Sequence, residues 1–140
     1  MSAYPPILLV EDNPLDVDLT LRAFQRHKLA NPILVARDGE EALAWIPRWE
    51  SGDTLPAVIL LDLNMPRVDG LTVLRTLKSH PLLRRIPVVV LTTSKEDRDI
   101  QVAYDLGVNS YIIKPVGFDN FMDVAQQIEL YWCVINELPK

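Results

Sequence analysis

The chain has 140 residues, a hydrophobic content of 49% and a formal net charge of -5. This size and composition are typical of one folded domain and exclude a disordered chain, and the acidic balance argues against nucleic-acid binding. No apolar stretch predicts a membrane span, the first residues lack a secretory signal, and the single cysteine, Cys133, leaves no intrachain disulfide. We expect one cytoplasmic domain over residues 1–140, without a membrane or nucleic-acid partner.

Short apolar runs alternate with helical segments along the chain. Strands are predicted at 7–10, 33–36, 57–61, 88–91 and 111–113. Helices are predicted from 14 to about 27, from 40 to about 49, from 70 until Pro81, from 94 to 106 and from 118 to 136. Pro47 should kink the second helix or end it early. Ser94 and Asp97 have capping-box spacing at the start of the fourth helix, and Gly107 should stop it.

Such alternation predicts an α/β fold in which helices cover both faces of a five-stranded parallel sheet. Polar residues end four of the strands, namely Glu11 and Asp12, Asp62, Thr92, and Lys114. Each of these alone is equally well explained as a helix cap, a strand terminator or an exposed lysine. Because the carboxyl ends of parallel strands meet at one edge of a sheet, together they predict a site there.

The acidic residues of this group require protons or a cation. Carboxylates about 4 Å apart repel each other by about 4 kcal/mol at an effective dielectric constant of about 20. Oxygen ligands without a neighbouring histidine or cysteine favour Mg²⁺. Asp62, at the end of the central strand, is the expected nucleophile toward phosphorus, and Glu11 and Asp12 would hold the ion. Lys114 and the Thr92 hydroxyl would then contact the phosphoryl oxygens.

The chain resembles the receiver domain of two-component response regulators over nearly its whole length. The matching residues are Glu11-Asp12, Asp62 in Asp-Leu-Asn-Met-Pro, Asp69-Gly70, Thr92, Tyr111 and Lys114-Pro115. The resemblance implies a flavodoxin-like doubly wound sheet of strand order 2-1-3-4-5 with five helices. It also implies a protein that accepts a phosphoryl group from the phosphohistidine of a sensor histidine kinase, and that catalyses only its own phosphotransfer and autodephosphorylation.

The resemblance further assigns roles to the residues of the site. Mg²⁺ would be bound by Asp12, Asp62 and the main-chain carbonyl of Asn64, with Glu11 acting through water. Lys114 would pair with the phosphoryl group on Asp62.

Three further properties follow from the same resemblance. Thr92 would move toward the phosphoryl group and Tyr111 would turn inward behind it, although an aromatic residue in a strand is more often explained by packing alone. The Lys114-Pro115 peptide bond would be cis. We expect residues 1–140 to form a single receiver domain without an output domain, so the signal would pass to a protein partner or to a histidine phosphotransfer domain.

A narrower likeness concerns residues 78–81, 86–94, 131–132 and 136–139, which look like the small stand-alone regulators that partner phytochrome-type histidine kinases. Related stand-alone regulators serve other kinases, so the class of the partner kinase stays open. The last helix carries a separate apolar strip of Leu130, Val134 and Leu138, which predicts either a contact with the body of the domain or a surface for a homodimer or another partner.

Three alternative functions remain at this stage. An aspartate-based phosphatase would normally carry a second acid two residues after the nucleophile, where this chain has Asn64. A flavodoxin-like cofactor binder would need a phosphate loop rich in Ser, Thr or Gly after the first strand, where this chain has acids. A degenerate receiver would act as a binding module without phosphorylation.

Overall fold

The computed structural model describes residues 4–26 and 30–135. Strands β1 to β5 span Ile7–Val10, Ile33–Ala36, Val58–Leu61, Val88–Thr92 and Ser110–Ile113. Helices α1, α3, α4 and α5 span Pro14–Arg26, Gly70–Lys78, Asp97–Asp105 and Phe118–Ile128, and α2 consists of two segments, Gly39–Ala44 and Ile46–Glu50. The predicted strands are thus confirmed to within one residue at either end. Within the described ranges, the helices are too short or too polar to cross a membrane.

All five strands are parallel and lie in the order β2-β1-β3-β4-β5, which is the predicted doubly wound order. Successive side chains of the central strands enter two different cores. Leu8 and Ile59 pack under α2, α3 and α4. Leu9 and Leu60 pack under α1 and α5. Because both faces are covered, the inner strands are apolar throughout their length.

The second helix is broken where Pro47 predicts a kink or an early end. α2 stops at Ala44 and resumes at Ile46, which places Pro47 in the first turn of the second segment. A proline inside a helix clashes with the carbonyl four residues before it, whereas the first turn needs no hydrogen bond from its nitrogen. The break therefore follows directly from the sequence.

The start of α4 differs from the prediction. The capping-box spacing placed the N-cap at Ser94, but α4 begins at Asp97, and its N-cap, Glu96, makes no side-chain cap hydrogen bond. The Ser94 hydroxyl instead donates to Asp99 Oδ2 at 2.6 Å. The predicted start is wrong: Ser94 Oγ also accepts from the Glu96 N–H at 3.3 Å, which forms a turn that precedes the helix. The predicted stop is confirmed, since Gly107 follows the helix with a φ of 100°.

The last helix also differs from the single helix expected over 118–136. α5 ends at Ile128, and a π-helical segment continues over Glu129–Ile135. The apolar pattern is compatible with either hydrogen-bond spacing, so the sequence alone does not place this change. In the predicted apolar strip, Leu130 is 53% exposed, whereas the Val134 side chain and Leu138 lie outside the described part of the chain. Residues 27 and 136, the predicted ends of the first and last helices, lie outside it as well.

The N-terminus of α3 packs directly against the end of β3. Asp69 caps this helix, because its Oδ1 accepts a hydrogen bond from the Thr72 N–H at 2.8 Å. At Gly70, a Cβ atom would lie 2.3 Å from the carbonyl oxygen of Asp62. Only glycine fits at this distance, so the helix fixes the backbone that carries Asp62.

Candidate functional site

Main-chain hydrogen bonds extend the sheet to the residues that follow its strands. The Asp62 N–H donates to the carbonyl of Val10 at 3.0 Å, and the Lys114 N–H donates to that of Thr92 at 2.7 Å. Because β1 and β3 are neighbours, Glu11 and Asp62 follow adjacent strand ends. The predicted site residues are therefore held at one edge of the sheet by its own ladder.

The three acidic residues of the prediction lie together. One carboxylate oxygen from each of Glu11, Asp12 and Asp62 lies within 4.8 Å of the other two. Glu11 is 3% exposed and Asp62 is 6% exposed, whereas Asp12 is half-buried. An all-oxygen donor set with partial access to water fits a hard divalent cation. The arrangement does not offer the nitrogen or sulfur ligands that softer metals prefer.

Lys114 supplies the positive charge of this cluster. Its Nζ donates to Glu11 Oε1 at 2.5 Å, to Asp16 Oδ2 at 2.8 Å and to Asp62 Oδ2 at 3.4 Å. The side chain is only 8% exposed. Burial lowers the pKa of Lys114, but the hydrogen bonds and charges of these carboxylates outweigh it and raise the pKa overall. The ammonium group is therefore kept charged.

Glu11 ionises less readily than an ordinary glutamic acid. Burial raises its pKa from 4.5 to about 7, and the charge of Asp62 adds to this effect, whereas the hydrogen bond from Lys114 opposes it. The folded protein therefore binds a proton at Glu11 more tightly than the unfolded chain does. This contribution to stability is fully present below pH 4.5 and is lost as the pH rises through about 7.

We expect the metal-free protein to gain stability from Glu11 as the pH falls. Relative to Glu11→Gln, which cannot ionise, the wild type should gain on the order of 3 kcal/mol in unfolding free energy between about pH 8 and about pH 4. Urea unfolding of both proteins in the presence of a chelator measures this difference. A difference between the two proteins that does not change with pH would contradict the assigned burial cost.

Asn64 connects the acidic cluster to Thr92. Its backbone N–H donates to Asp62 Oδ1 at 3.3 Å, and its Nδ2 donates to Thr92 Oγ1 at 3.4 Å. Thr92 is fully buried. The loop after β3 is therefore joined both to the central carboxylate and to the hydroxyl at the end of β4.

Ser94 joins the two residues predicted to form the switch. Its N–H donates to Thr92 Oγ1 at 3.3 Å, and its carbonyl accepts from the Tyr111 hydroxyl at 3.0 Å. Burial raises the pKa of Tyr111, and its ring packs against the core under α2, α3 and α4. Tyr111 thus combines the packing role with a polar contact to the loop after β4.

The predicted cis bond between Lys114 and Pro115 is not present, because none of the peptide bonds in the described residues is cis. The trans isomer is the intrinsically favoured one for a bond preceding proline. Lys114 reaches its carboxylate partners with the trans bond, so the observed contacts do not depend on the cis isomer.

Asp16 is a member of the site that sequence reasoning missed. It lies in the first turn of α1, where an acid is already explained by the helix dipole. Its contact with Lys114 links residues 98 positions apart. The sequence places Asp16 in the first turn of the helix that follows Glu11 and Asp12. This position does not show which way the Asp16 side chain points.

Comparisons with known proteins agree with this arrangement. The family model for the response regulator receiver domain matches residues 7–126 of this chain. The chain is 46% identical over 134 residues to the probable methanogenesis regulatory protein FilR2 of Methanothrix harundinacea, covering 95% of this chain and 86% of FilR2. It is 38% identical over 139 residues to response regulator Rcp1 of Synechocystis, covering 96% of this chain and 95% of Rcp1.

Solved structures of response regulators are also similar to this chain. The phosphorylated cyanobacterial phytochrome response regulator RcpA matches with a TM-score of 0.91 and 40% identity over 99% of this chain and 100% of RcpA. The Mn²⁺-bound form of Rcp1 matches with a TM-score of 0.87 and 37% identity over 97% of this chain and 99% of Rcp1. With the fold, the strand-end acids and these relatives in agreement, the chain belongs to the response regulator receiver domain family and is related to the phytochrome response regulators.

Proposed function

We propose that Asp62 accepts a phosphoryl group from the phosphohistidine of a sensor histidine kinase. The observation that supports this best is the convergence of three carboxylates and the Lys114 ammonium at one edge of the sheet. An ionised Asp62 oxygen would attack phosphorus, and Lys114 would then neutralise charge on the phosphoryl oxygens. Membership of the receiver family does not favour the phosphatase alternative, and the complete set of acids and lysine argues against a degenerate receiver.

The proposed cofactor is Mg²⁺, which when bound would offset negative charge on the phosphoryl oxygens. Asp12 and Asp62 would bind the ion directly, and Glu11 would act through water. The main-chain carbonyl of Asn64 would add a neutral oxygen, and the hydrogen bond from the Asn64 N–H to Asp62 keeps this residue beside the acidic cluster. The Mn²⁺-bound form of Rcp1 supports a divalent cation as the cofactor.

The proposed response begins at Thr92 and Tyr111. A phosphoryl group adds about -1.5 to -2 charge and three acceptor oxygens. The Thr92 hydroxyl, which accepts from Asn64 Nδ2 and from the Ser94 N–H, can then donate to a phosphoryl oxygen and move toward it. Because Ser94 also accepts from Tyr111, this movement would alter the position of the Tyr111 ring. The surface of α4, β5 and α5 would carry the change to a protein partner or to a histidine phosphotransfer domain.

The proposed kinase partner is of the phytochrome type, and the proposed location is the cytoplasm. Similarity to the phytochrome response regulator RcpA supports the first of these proposals. A comparison of phosphotransfer from a phytochrome-type kinase and from a kinase of another class, at equal concentrations, tests the partner. We expect faster transfer from the phytochrome-type kinase, and equal rates would contradict this assignment without affecting the phosphoacceptor role.

The metal assignment is tested by Asp12→Asn, which keeps the side-chain size and removes one charge. We expect Mg²⁺ affinity to fall by at least about tenfold, because a ligand is lost from the acidic cluster. Asp18→Asn is the matched control, since Asp18 pairs with Arg22 on the solvent side of α1. Isothermal titration calorimetry of the two variants and the wild type measures the effect. Equal affinities for all three proteins would exclude Asp12 as a ligand.

A further inference from the structure

We propose that Asp16 is a positioning residue that competes with the phosphoryl group on Asp62 for the Lys114 ammonium. The inference rests on the proposed roles of Asp62 and Lys114, and it adds a residue that controls how readily the lysine turns to the phosphoryl group. The Lys114 Nζ lies 2.8 Å from Asp16 Oδ2 but 3.4 Å from Asp62 Oδ2.

Lys114 has no spare hydrogen-bond donor before phosphorylation. An ammonium group has three N–H bonds, and Nζ contacts three carboxylates, from Glu11, Asp16 and Asp62. A phosphoryl group on Asp62 brings three further acceptor oxygens and about -1.5 to -2 charge. Lys114 must therefore give up one of its present partners to bind the phosphoryl group with more than one hydrogen bond.

Asp16 is the partner that Lys114 can release at the lowest cost. Glu11 is 3% exposed, and a buried carboxylate without its cation is strongly disfavoured. The Asp16 side chain is 29% exposed, so water can replace the lysine. Asp16 also lies in the first turn of α1, where the helix dipole favours its charge without any help from Lys114.

The backbone of Asp16 is fixed while its side chain is free to exchange partners. Asn13 Oδ1 caps the helix start, accepting from the N–H of Leu15 at 2.9 Å and from that of Asp16 at 3.4 Å. The carboxylate can therefore turn from Lys114 to water without a change in α1. Asp16 acts in this way as a charge that holds Lys114 before phosphorylation and opposes an anion on Asp62.

The variant Asp16→Asn tests this competition, because it keeps the shape of the side chain and removes its charge. The first readout does not involve phosphorylation. In heteronuclear NMR of lysine ammonium groups, we expect proton exchange of Lys114 with water to be faster in Asp16→Asn than in the wild type. Lys78, whose Nζ donates to the Ile86 carbonyl at 2.9 Å, provides an internal reference that should not change.

The second readout is the affinity for fluoroberyllate, an analogue of the phosphoryl group, in the presence of Mg²⁺. Asp16→Asn removes a partly exposed ion pair that competes with fluoroberyllate for Lys114. We therefore expect this variant to bind fluoroberyllate about fivefold more tightly than the wild type. Asp18→Asn, with the same charge change on the solvent side of α1, should bind as the wild type does. Equal or weaker binding by Asp16→Asn, with binding by the wild type intact, would overturn the role of Asp16 alone. Absence of binding by the wild type would instead overturn the proposed function, and this inference with it.

Discussion

Asp62→Asn should take up no phosphoryl group from a small-molecule phosphoryl donor and Mg²⁺, whereas the wild type takes up one. An amide oxygen is a much weaker nucleophile than a carboxylate oxygen because the amide group is neutral. The remaining site should stay in place, since an asparagine oxygen can still accept from the Asn64 N–H and Lys114 keeps Glu11 and Asp16. The loss would therefore report on chemistry rather than on folding.

Intact-mass spectrometry over time measures this effect, and a second readout accompanies it. The charge of Asp62 is one cause of the raised pKa of Glu11, so this pKa should fall in Asp62→Asn. Asp18→Asn, on the outer face of α1, serves as the charge-matched control and should be phosphorylated as the wild type is. Phosphoryl uptake by Asp62→Asn at the wild-type rate would exclude Asp62 as the nucleophile.

Gly70→Ala should destabilise the fold by about 3 kcal/mol and weaken the site at the same time. A Cβ atom there would lie 2.3 Å from the carbonyl oxygen of Asp62 and 2.6 Å from the Cα of Leu63. Both neighbours are backbone atoms, so no side chain can rotate away to relieve the contact. The start of α3 must move away from the end of β3, and Asp62 must move with it.

Urea unfolding gives the stability change, and fluoroberyllate binding with Mg²⁺ gives the effect on the site. Gly52→Ala separates crowding from backbone strain, because Gly52 has a φ of 109° but no neighbour within 4 Å of the added Cβ. It should cost about 1 kcal/mol through conformation alone and leave fluoroberyllate binding unchanged. A cost for Gly70→Ala no larger than that for Gly52→Ala would contradict the close approach of α3 to Asp62.

The sheet and the strand-end acids could be predicted because their signals are local. Apolar runs that stop at Glu11, Asp62 and Lys114 mark the ends of strands, and parallel strands bring their carboxyl ends together whatever the loops do. The break at Pro47 was predictable for the same reason, since the proline ring acts on its own turn.

The features that the sequence does not predict depend on contacts between distant residues, or on which of several nearby groups forms a hydrogen bond. Ser94 has the spacing of an N-cap, but its hydroxyl accepts from Glu96 in a turn before the helix and donates to Asp99, and α4 starts later. Asp16 had a sufficient local explanation at the start of α1, and only the folded chain brings it to Lys114. The cis isomer of the Lys114-Pro115 bond is implied only by the resemblance to the family, since no residue pattern predicts it. The bond is trans.

Phosphorylation of Asp62 itself can be located by chemical reduction. Wild-type protein treated with a phosphoryl donor and Mg²⁺ can be reduced with borohydride, which converts an aspartyl phosphate to homoserine, and then digested and sequenced by mass spectrometry. We predict homoserine at position 62 and at no other aspartate. Homoserine at another position, or none in protein whose intact mass shows an added phosphoryl group, would contradict the assignment.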